Sequence, residues 1–303
     1  MNYTVNQLRI FLKVVEKQSV TKASEELFMT QPAVSIQLRN FQDQFDIPLT
    51  EVIGRQLYVT DFGLEIAEIA RRVLSEMDEL QFKTKEYLGV LAGKLKISCA
   101  STGKYVIPFF LSDFLETHAG IDLALDVTNK TMVVESLKKN EIDFAVVSKL
   151  PEDFDVDEEL ILENRLYLMG TKDNFDKKKP LIFREQGSAT RQEMEHYFEE
   201  KKANRKRLEL TSNEAVKQAV IAGLGHSILP LIGTRGQLER GALKIIPRKR
   251  LPLSTDWRII WLKNKKLSPV AKAFLEFVRS NKETILEKHF KWYMDFTEDD
   301  FNG

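Results

Sequence analysis

Side chains whose types and spacing could do chemistry gather in two parts of this chain. The first is Ser19 to Phe41, SVTKASEELFMTQPAVSIQLRNF, which reads as two short helices joined by a tight connection. Thr21 suits the cap of the first helix, and Ala23 and Leu27 fall four apart on one face. Thr30 suits the cap of the second, with Gln31 and Pro32 in its first turn, where proline's missing N–H costs nothing. Val34, Leu38 and Phe41 repeat at helical spacing and must face a core. Gln31, Ser35, Gln37 and Arg39 are left to point outward. Amide, hydroxyl and guanidinium groups on an exposed helix match base edges in a major groove, and Ile36 beside them could meet a thymine methyl. Many helical hairpins share this apolar spacing, so the pair alone argues weakly for such a role.

The second part is a set of loops at predicted strand ends. Ser101-Thr102-Gly103 follows one strand, with hydroxyls and a permissive glycine. Thr128-Asn129-Lys130-Thr131 follows another and adds an amide and further hydroxyls. Gly187-Ser188-Ala189-Thr190-Arg191 opens a helix, where free N–H groups, hydroxyls and a guanidinium converge on a positive helix end. In open α/β sheets ligands collect at such strand C-termini, and this chemistry favours carboxylate or phosphate. Ser101, Thr102, Thr128, Asn129, Thr131, Gly187, Ser188, Thr190 and Arg191 are therefore the candidate ligand contacts. Taken singly each such residue reads as a plain helix cap; three loops facing one cleft argue for more. Thr211-Ser212-Asn213 is a weaker fourth candidate, read first as a cap.

No catalytic or metal constellation accompanies these groups. Ser188 has no predicted histidine and carboxylate partners, Cys99 lies within a strand, and His118, His196, His226 and His289 show no ligand spacing. One cysteine excludes an internal disulfide and a multi-cysteine metal site. We expect no enzyme activity, no cofactor and no metal. No apolar run is long enough to span a bilayer, and Arg9, Lys13, Glu16 and Lys17 interrupt the first apolar stretch, so we expect no signal peptide, no membrane partner and a cytoplasmic location.

The elements around the helical pair give it context. Thr4-Val5-Asn6-Gln7 is a capping box opening a helix with Leu8, Phe11, Leu12 and Val15. Gly54-Arg55-Gln56-Leu57-Tyr58-Val59-Thr60 suits a turn and strand, the wing of a winged helix-turn-helix. A long helix then runs from Thr60 or Asp61 to about Tyr87. Along it Ile66, Ala70, Val73, Met77, Leu80, Thr84 and Tyr87 step by four and three, a coiled-coil-like seam that predicts self-pairing into a homodimer or homotetramer, with packing against the chain's own domains as the alternative. Leu91-Ala92-Gly93 marks a boundary. Beyond it strands at 95–99, 123–127, 144–147, 166–169, 181–183, 208–210, 227–229, 243–246 and 257–262 alternate with helices at 108–118, 133–139, 191–202, 214–222 and 269–280. That alternation predicts two α/β lobes joined by two crossovers. A tail with Phe290, Trp292, Tyr293 and Phe296 ends in the acidic run Glu298-Asp299-Asp300; docked helix or partner surface are both open for it.

Residues 1 to about 90 resemble the N-terminal domain of LysR-type transcriptional regulators. The matching pieces are Leu8-Arg9-Ile10-Phe11, Ser19-Val20-Thr21-Lys22-Ala23-Ser24, Leu27, Thr30-Gln31-Pro32-Ala33-Val34-Ser35, Gln37-Leu38-Arg39, Gly54-Arg55, and Thr60 with Gly63. The resemblance implies an α+β chain with three parts. Residues 1–60 form a winged helix-turn-helix and 61–90 a linker helix that forms dimers. Residues 94–303 form a two-lobed, periplasmic-binding-protein-like effector domain, with lobe I at 94–163 and 263–303 and lobe II at 164–262. It implies promoter DNA as a partner, met by Thr30, Gln31, Pro32, Ser35, Ile36, Gln37, Arg39 and Arg55. Arg184 to Arg191, Asn129 and Asn140-Glu141-Ile142-Asp143 are similar to the branch that controls RuBisCO operons, which implies a small anionic metabolite as effector. Two positions depart from the family: Ile36 stands where arginine is common, and Thr50-Glu51-Val52 replaces the usual Phe-Glu-Arg. Ala189 replaces the middle glycine of the ligand loop.

Charge is the main argument against tight DNA binding. Over residues 1–60, Arg9, Lys13, Lys17, Lys22, Arg39 and Arg55 are matched by Glu16, Glu25, Glu26, Asp43, Asp46 and Glu51. Without a basic excess, phosphate affinity is modest and its salt dependence shallow, so several subunits must engage together. The rival readings are a cytoplasmic solute-binding or sensor protein without DNA control, and an enzyme.

Overall fold

A computed structural model describes residues 2–54, 56–87, 91–199 and 206–297. The chain divides into two compact units, Met1–Val90 and Leu91–Gly303.

The first unit begins with α1 (Val5–Lys17), α2 (Val20–Glu26) and α3 (Gln31–Gln42). The Thr4 capping box forms as read: Gln7 N donates to Thr4 Oγ1 at 3.2 Å and Thr4 N to Gln7 Oε1 at 3.0 Å. The cap of α2 is Ser19, not Thr21. Gln18 ends α1 in the left-handed region, which leaves Ser19 extended with its hydroxyl accepting from Lys22 N at 3.3 Å. Thr30 does cap α3 by position, but through no side-chain hydrogen bond. Ile10, Phe11, Val14, Ala23, Val34, Leu38 and Phe41 close into one core with Leu49 and Ala67.

The wing follows as β1 (Thr50–Ile53) and β2 (Gln56–Val59), an antiparallel hairpin in which Ile53 faces Gln56. Thr60 then opens α4 (Asp61–Tyr87), its hydroxyl accepting from Gly63 N at 2.9 Å. Only glycine fits at 63, because a Cβ there would lie 2.0 Å from the Leu49 carbonyl oxygen. Three helices and a hairpin thus form the winged helix-turn-helix, with α4 leaving from its core.

The second unit runs β3 (Ala92–Ala100), α5 (Ile107–Thr117), β4 (Gly120–Thr128), α6 (Lys130–Lys138), β5 (Phe144–Val147) and β6 (Val156–Gly170). It continues through β7 (Leu181–Arg184), α7 (Ala189–Glu199), β8 (Arg207–Leu210), α8 (Asn213–Ile221) and β9 (Ser227–Pro230). It ends with α9 (Arg235–Glu239), β10 (Lys244–Ile245), β11 (Leu253–Leu262) and α10 (Pro269–Met294). Parallel β4-β3-β5 form the heart of the first lobe. β6 and β11 are antiparallel and run through both lobes, pairing from Val156–Leu262 to Leu166–Leu253 with a register shift between Trp257 and Arg258. Beyond that shift β6 also pairs β9 and β10, and β7 pairs β8 in parallel, which builds the second lobe.

Two segments are longer than the sequence signalled. The strands read at 166–169 and 257–262 are parts of β6 and β11. Asp157, Glu158 and Glu159 open β6 on a solvated edge, so the apolar run shows only its buried half. The helix read at 269–280 continues to Met294 and buries Phe290 and Tyr293, with Phe296 behind it, in the core that spans the unit.

Candidate functional site

On α3, Gln31, Pro32, Ile36 and Arg39 are exposed opposite the buried Val34, Leu38 and Phe41, while Ser35 and Gln37 lie half-buried at the flanks. Gln31 Nε2 donates to Ser35 Oγ at 2.9 Å, which holds both groups one turn apart in a fixed orientation. Arg39 stands loosely by Asp43 at 3.8 Å and is free to turn to a phosphate or base. Thr30 is exposed before the helix; Arg55 lies outside the described residues. Sequence reading passed over Phe28, 97 % exposed at a positive φ of 53° before α3, and Val52 and Ile53 on the wing, also exposed. This face is therefore amide, hydroxyl and apolar, with few cations. On α1, Lys13 and Lys17 are already engaged: Lys13 is held above the usual lysine range by hydrogen bonds to Glu16 and Glu26, Lys17 by Glu26 and then Glu16. Replacing Ser35 or Gln31 by alanine is expected to weaken binding to a cognate site about 10-fold, within the 1–3 kcal/mol of one base contact, and to unrelated DNA less than twofold. Competition titrations on both DNAs check this; equal losses on the two would show that these groups only position the helix.

The apolar face of α4 is only partly that read from the sequence. Ala70 is buried and Ile66 packs against the domain core, whereas Ile69, Val73, Met77 and Leu80 are exposed, with Arg72 and Glu76 bordering a shallow groove. Of the remaining seam positions, Thr84 and Tyr87 have side chains outside the described residues.

In the second unit the three loops meet between the lobes. Ala100, Ser101, Thr102, Asn129, Lys130, Ser148, Ser188, Ala189 and Thr190 line one small cavity. Ser101 Oγ accepts from Arg184 Nη1 at 2.9 Å and Asn213 Nδ2 at 3.0 Å, both from the opposite lobe. Arg184 and Asn213 are each 4 % exposed, and Glu185 grips the rest of the guanidinium in two bonds of 2.7 Å. Thr131 N donates to the Gly187 carbonyl at 3.3 Å, and Lys149 meets Glu193 at 3.3 Å. Gly187 takes φ +83°, and a Cβ there would press within 2.8 Å of Thr131 Oγ1, so the close approach of the lobes needs glycine. The cavity holds about 10 Å³, room for about one water. A metabolite requires the lobes to part.

The candidate contacts divide accordingly. Ser101, Thr102, Asn129, Ser188 and Thr190 line the cavity; Thr131 and Gly187 join the lobes at its rim; Thr128 ends β4 outside the lining. Asn129 and Ser188 also cap α6 and α7, accepting from Met132 N at 3.1 Å and Arg191 N at 3.4 Å. Arg191 turns away: its guanidinium is committed to Glu195, Glu209 and the Arg184 carbonyl. Arg184 supplies the buried guanidinium instead. Sequence reading did not take up Lys130 or Ser148 as contacts and ranked Thr211-Ser212-Asn213 only as a weaker candidate, whereas Lys130 and Ser148 line the cavity and Asn213 reaches Ser101 across the cleft. The strand-end rule applied to β5 and β7 would have found Ser148 and Arg184, since both follow or end a strand at its C-terminus. Ser212 takes the capping role at α8 and leaves Asn213 free to cross the cleft. Burial, then the nearby Lys149, lowers the Lys130 pKa below the usual lysine range, so an anion placed there would relieve unfavourable charge. Cys99 is fully buried under this site, and burial followed by Asp126 pushes its thiol up to about 12. We expect Cys99 to resist thiol reagents at pH 8 while the protein is folded and to react fully in denaturant; rapid modification of native protein would contradict the burial.

Comparison with known proteins decides what this arrangement belongs to. Residues 5–64 match the bacterial regulatory helix-turn-helix protein, lysR family, and residues 89–283 match the LysR substrate binding domain. The chain belongs to the LysR family. It is a DNA-binding transcriptional regulator with an effector-binding domain, and the enzyme and free-standing solute-binding readings give way. It is 34% identical over 296 residues to the HTH-type transcriptional activator CmpR of Synechocystis sp., covering 94% of this chain and 97% of that one. It is 35% identical over 292 residues to the RuBisCO operon transcriptional regulator of Allochromatium vinosum, covering 92% and 97%. Its second unit is similar to the regulatory domain of Synechocystis CcmR in complex with 2-PG, at 30% identity and TM-score 0.59, over 63% of this chain and 97% of that domain. Among the described residues no helix of this regulator is long and apolar enough to cross a membrane.

Proposed function

We propose that this LysR-family chain works in the cytoplasm as an oligomer paired through α4, reading promoter DNA with Thr30, Gln31, Pro32, Ser35, Ile36, Gln37, Arg39 and Arg55. A small anionic metabolite enters between the lobes and regulates it. The observation that carries this reading is the closed cleft, where hydroxyls, two helix N-termini and Lys130 face one cavity and Ser101 latches to a buried arginine. Likeness to a regulatory domain bound to 2-PG supports an anionic effector of that kind. Ser101, Thr102, Asn129, Lys130, Ser188 and Thr190 hold the ligand, with Thr128, Thr131, Gly187 and Arg191 shaping the rim and the loop behind it. Binding must favour one lobe arrangement over another, because equal affinity for both would change nothing. The parted or reclosed lobes then alter how paired subunits present α3 to half-sites.

Thermal stabilisation of the full-length protein by 2-PG and by a panel of small carboxylates and phosphates tests the cleft. Stabilisation that Thr190→Ala removes is the expected result; no stabilisation by any of them would sink an anionic effector.

A further inference from the structure

The match to the LysR substrate binding domain ends at residue 283, yet α10 continues to Met294 and the described chain to Thr297. The first half of α10 packs on the first lobe, where Phe274 meets Phe114 and Phe144 with ring centroids 5.3 and 5.8 Å apart. The extension beyond the match touches both lobes. His289 and Phe290 lie against Phe109 of α5, at 4.7 and 5.1 Å. One turn later Trp292 lies under Arg235 of α9, in the second lobe, at 4.8 Å. Phe296 then reaches Tyr167 of β6, where that strand enters the second lobe, at 5.8 Å.

Between these ends the extension grips β6 beside the crossing point. Arg165 N donates to Tyr293 Oη at 2.7 Å and Arg165 Nη1 to the Phe296 carbonyl at 3.1 Å. The guanidinium stacks over the Tyr293 ring at 4.7 Å. Tyr293 is 1 % exposed and lies 6.5 Å from Trp257, the β11 residue at the register shift. Trp257 Nε1 in turn donates at 3.2 Å to Thr102 Oγ1, in the cleft wall. Packed groups therefore run without interruption from the end of the chain, past the lobe crossing, to a hydroxyl lining the cavity.

We propose that residues 284–297 are a strap across the two lobes, fixing their closed angle and, through Tyr293 and Trp257, the placement of Thr102. Tyr293, Trp292 and Phe296 are positioning residues under this proposal and touch no ligand. For the cleft's role in binding it rests on the function proposed above; for the lobe angle it does not. An aromatic and guanidinium strap suits that task, since ring and cation faces give area with few rotamers to order.

The test is the distance between spin labels at Glu116→Cys on α5 and Gln218→Cys on α8 in full-length protein, diluted with unlabelled chains so that only intramolecular pairs are read. Buried Cys99 leaves the introduced thiols as the reactive ones. Without ligand, Trp292→Ala with Phe296→Ala is expected to broaden the distribution and shift it to longer distances, and to change the 2-PG dissociation constant at least fivefold. Leu275→Ala, in the first-lobe half of α10, should lower the melting temperature without moving the distance. Should the double variant fail to fold, Tyr293→Phe carries the same test, with a smaller shift in the same direction. A folded variant whose distances match the wild type, and whose 2-PG affinity stays within twofold, would overturn the strap. If wild-type protein binds no 2-PG, the ligand-free distances alone decide, so failure of the effector reading and failure of the strap are told apart.

Discussion

Placing glutamate at both Val73 and Met77 is expected to raise the self-dissociation constant of the regulator at least 100-fold. Both side chains are exposed on α4 with Ile69 and Leu80, next to Ile66, which packs on the domain core, and the buried Ala70. Val73 and Met77 are 41 % and 38 % exposed, so burying the remainder contributes under half of the about 1.5–3 kcal/mol of a full burial, but a pair of chains buries four such side chains, and the carboxylates add desolvation and like-charge repulsion. Together these exceed the roughly 2.7 kcal/mol that a 100-fold change requires. DNA affinity should fall with it, by a factor on the order of 10²–10⁴, because each reading head then binds alone. With few cations on its face, a single head has little phosphate affinity to fall back on. Sedimentation equilibrium and a DNA titration read the two effects, with circular dichroism confirming that the helices remain. A variant of unchanged mass in solution would remove α4 from the interface.

Arg184→Met should have the largest effect on stability within the effector unit. The guanidinium is buried, and it satisfies both Glu185 oxygens and Ser101 Oγ at once. Its removal leaves a carboxylate in the lobe interface without its cation, a change that costs about 3–5 kcal/mol. For a domain of this size that is a fall of about 6–20 °C in melting temperature. Adding Glu185→Met should restore most of the loss, since a buried ion pair replaced by apolar groups of similar volume is near neutral. Calorimetry on the single and double variants separates these outcomes. A single variant as stable as wild type would mean that the pair does not hold the lobes.

Sequence and structure part where contacts become long-range. The reading head was legible because its signals are local: the Thr4 box, Pro32 in a first turn and the Val34-Leu38-Phe41 spacing each depend on residues within one or two turns. Alternating strands and helices likewise exposed the two-lobed plan. Long-range choices were not legible. Periodicity identifies an apolar face of α4 but not how much of it its own domain uses, so Ile66 and Ala70 look like Val73 until the core is built. Arg191 and Arg184 stand at the two ends of one loop, and only the placement of Glu195 and Glu209 shows which guanidinium is taken. The extension of α10 carried its aromatic residues openly, but what they press on lies more than a hundred residues earlier in the chain, at Arg165 and Tyr167.

Regulation by this protein requires coupling between the cleft and the DNA. The most direct measurement is a footprint of the full-length regulator on a promoter fragment selected by the protein itself, followed as the proposed anionic effectors, 2-PG among them, are titrated. The protected region is expected to change in length, or at its edges, over the same concentrations of whichever anion stabilises the effector unit, and not to change in Thr190→Ala. A footprint that stays constant while a stabilising anion saturates the protein would contradict that coupling.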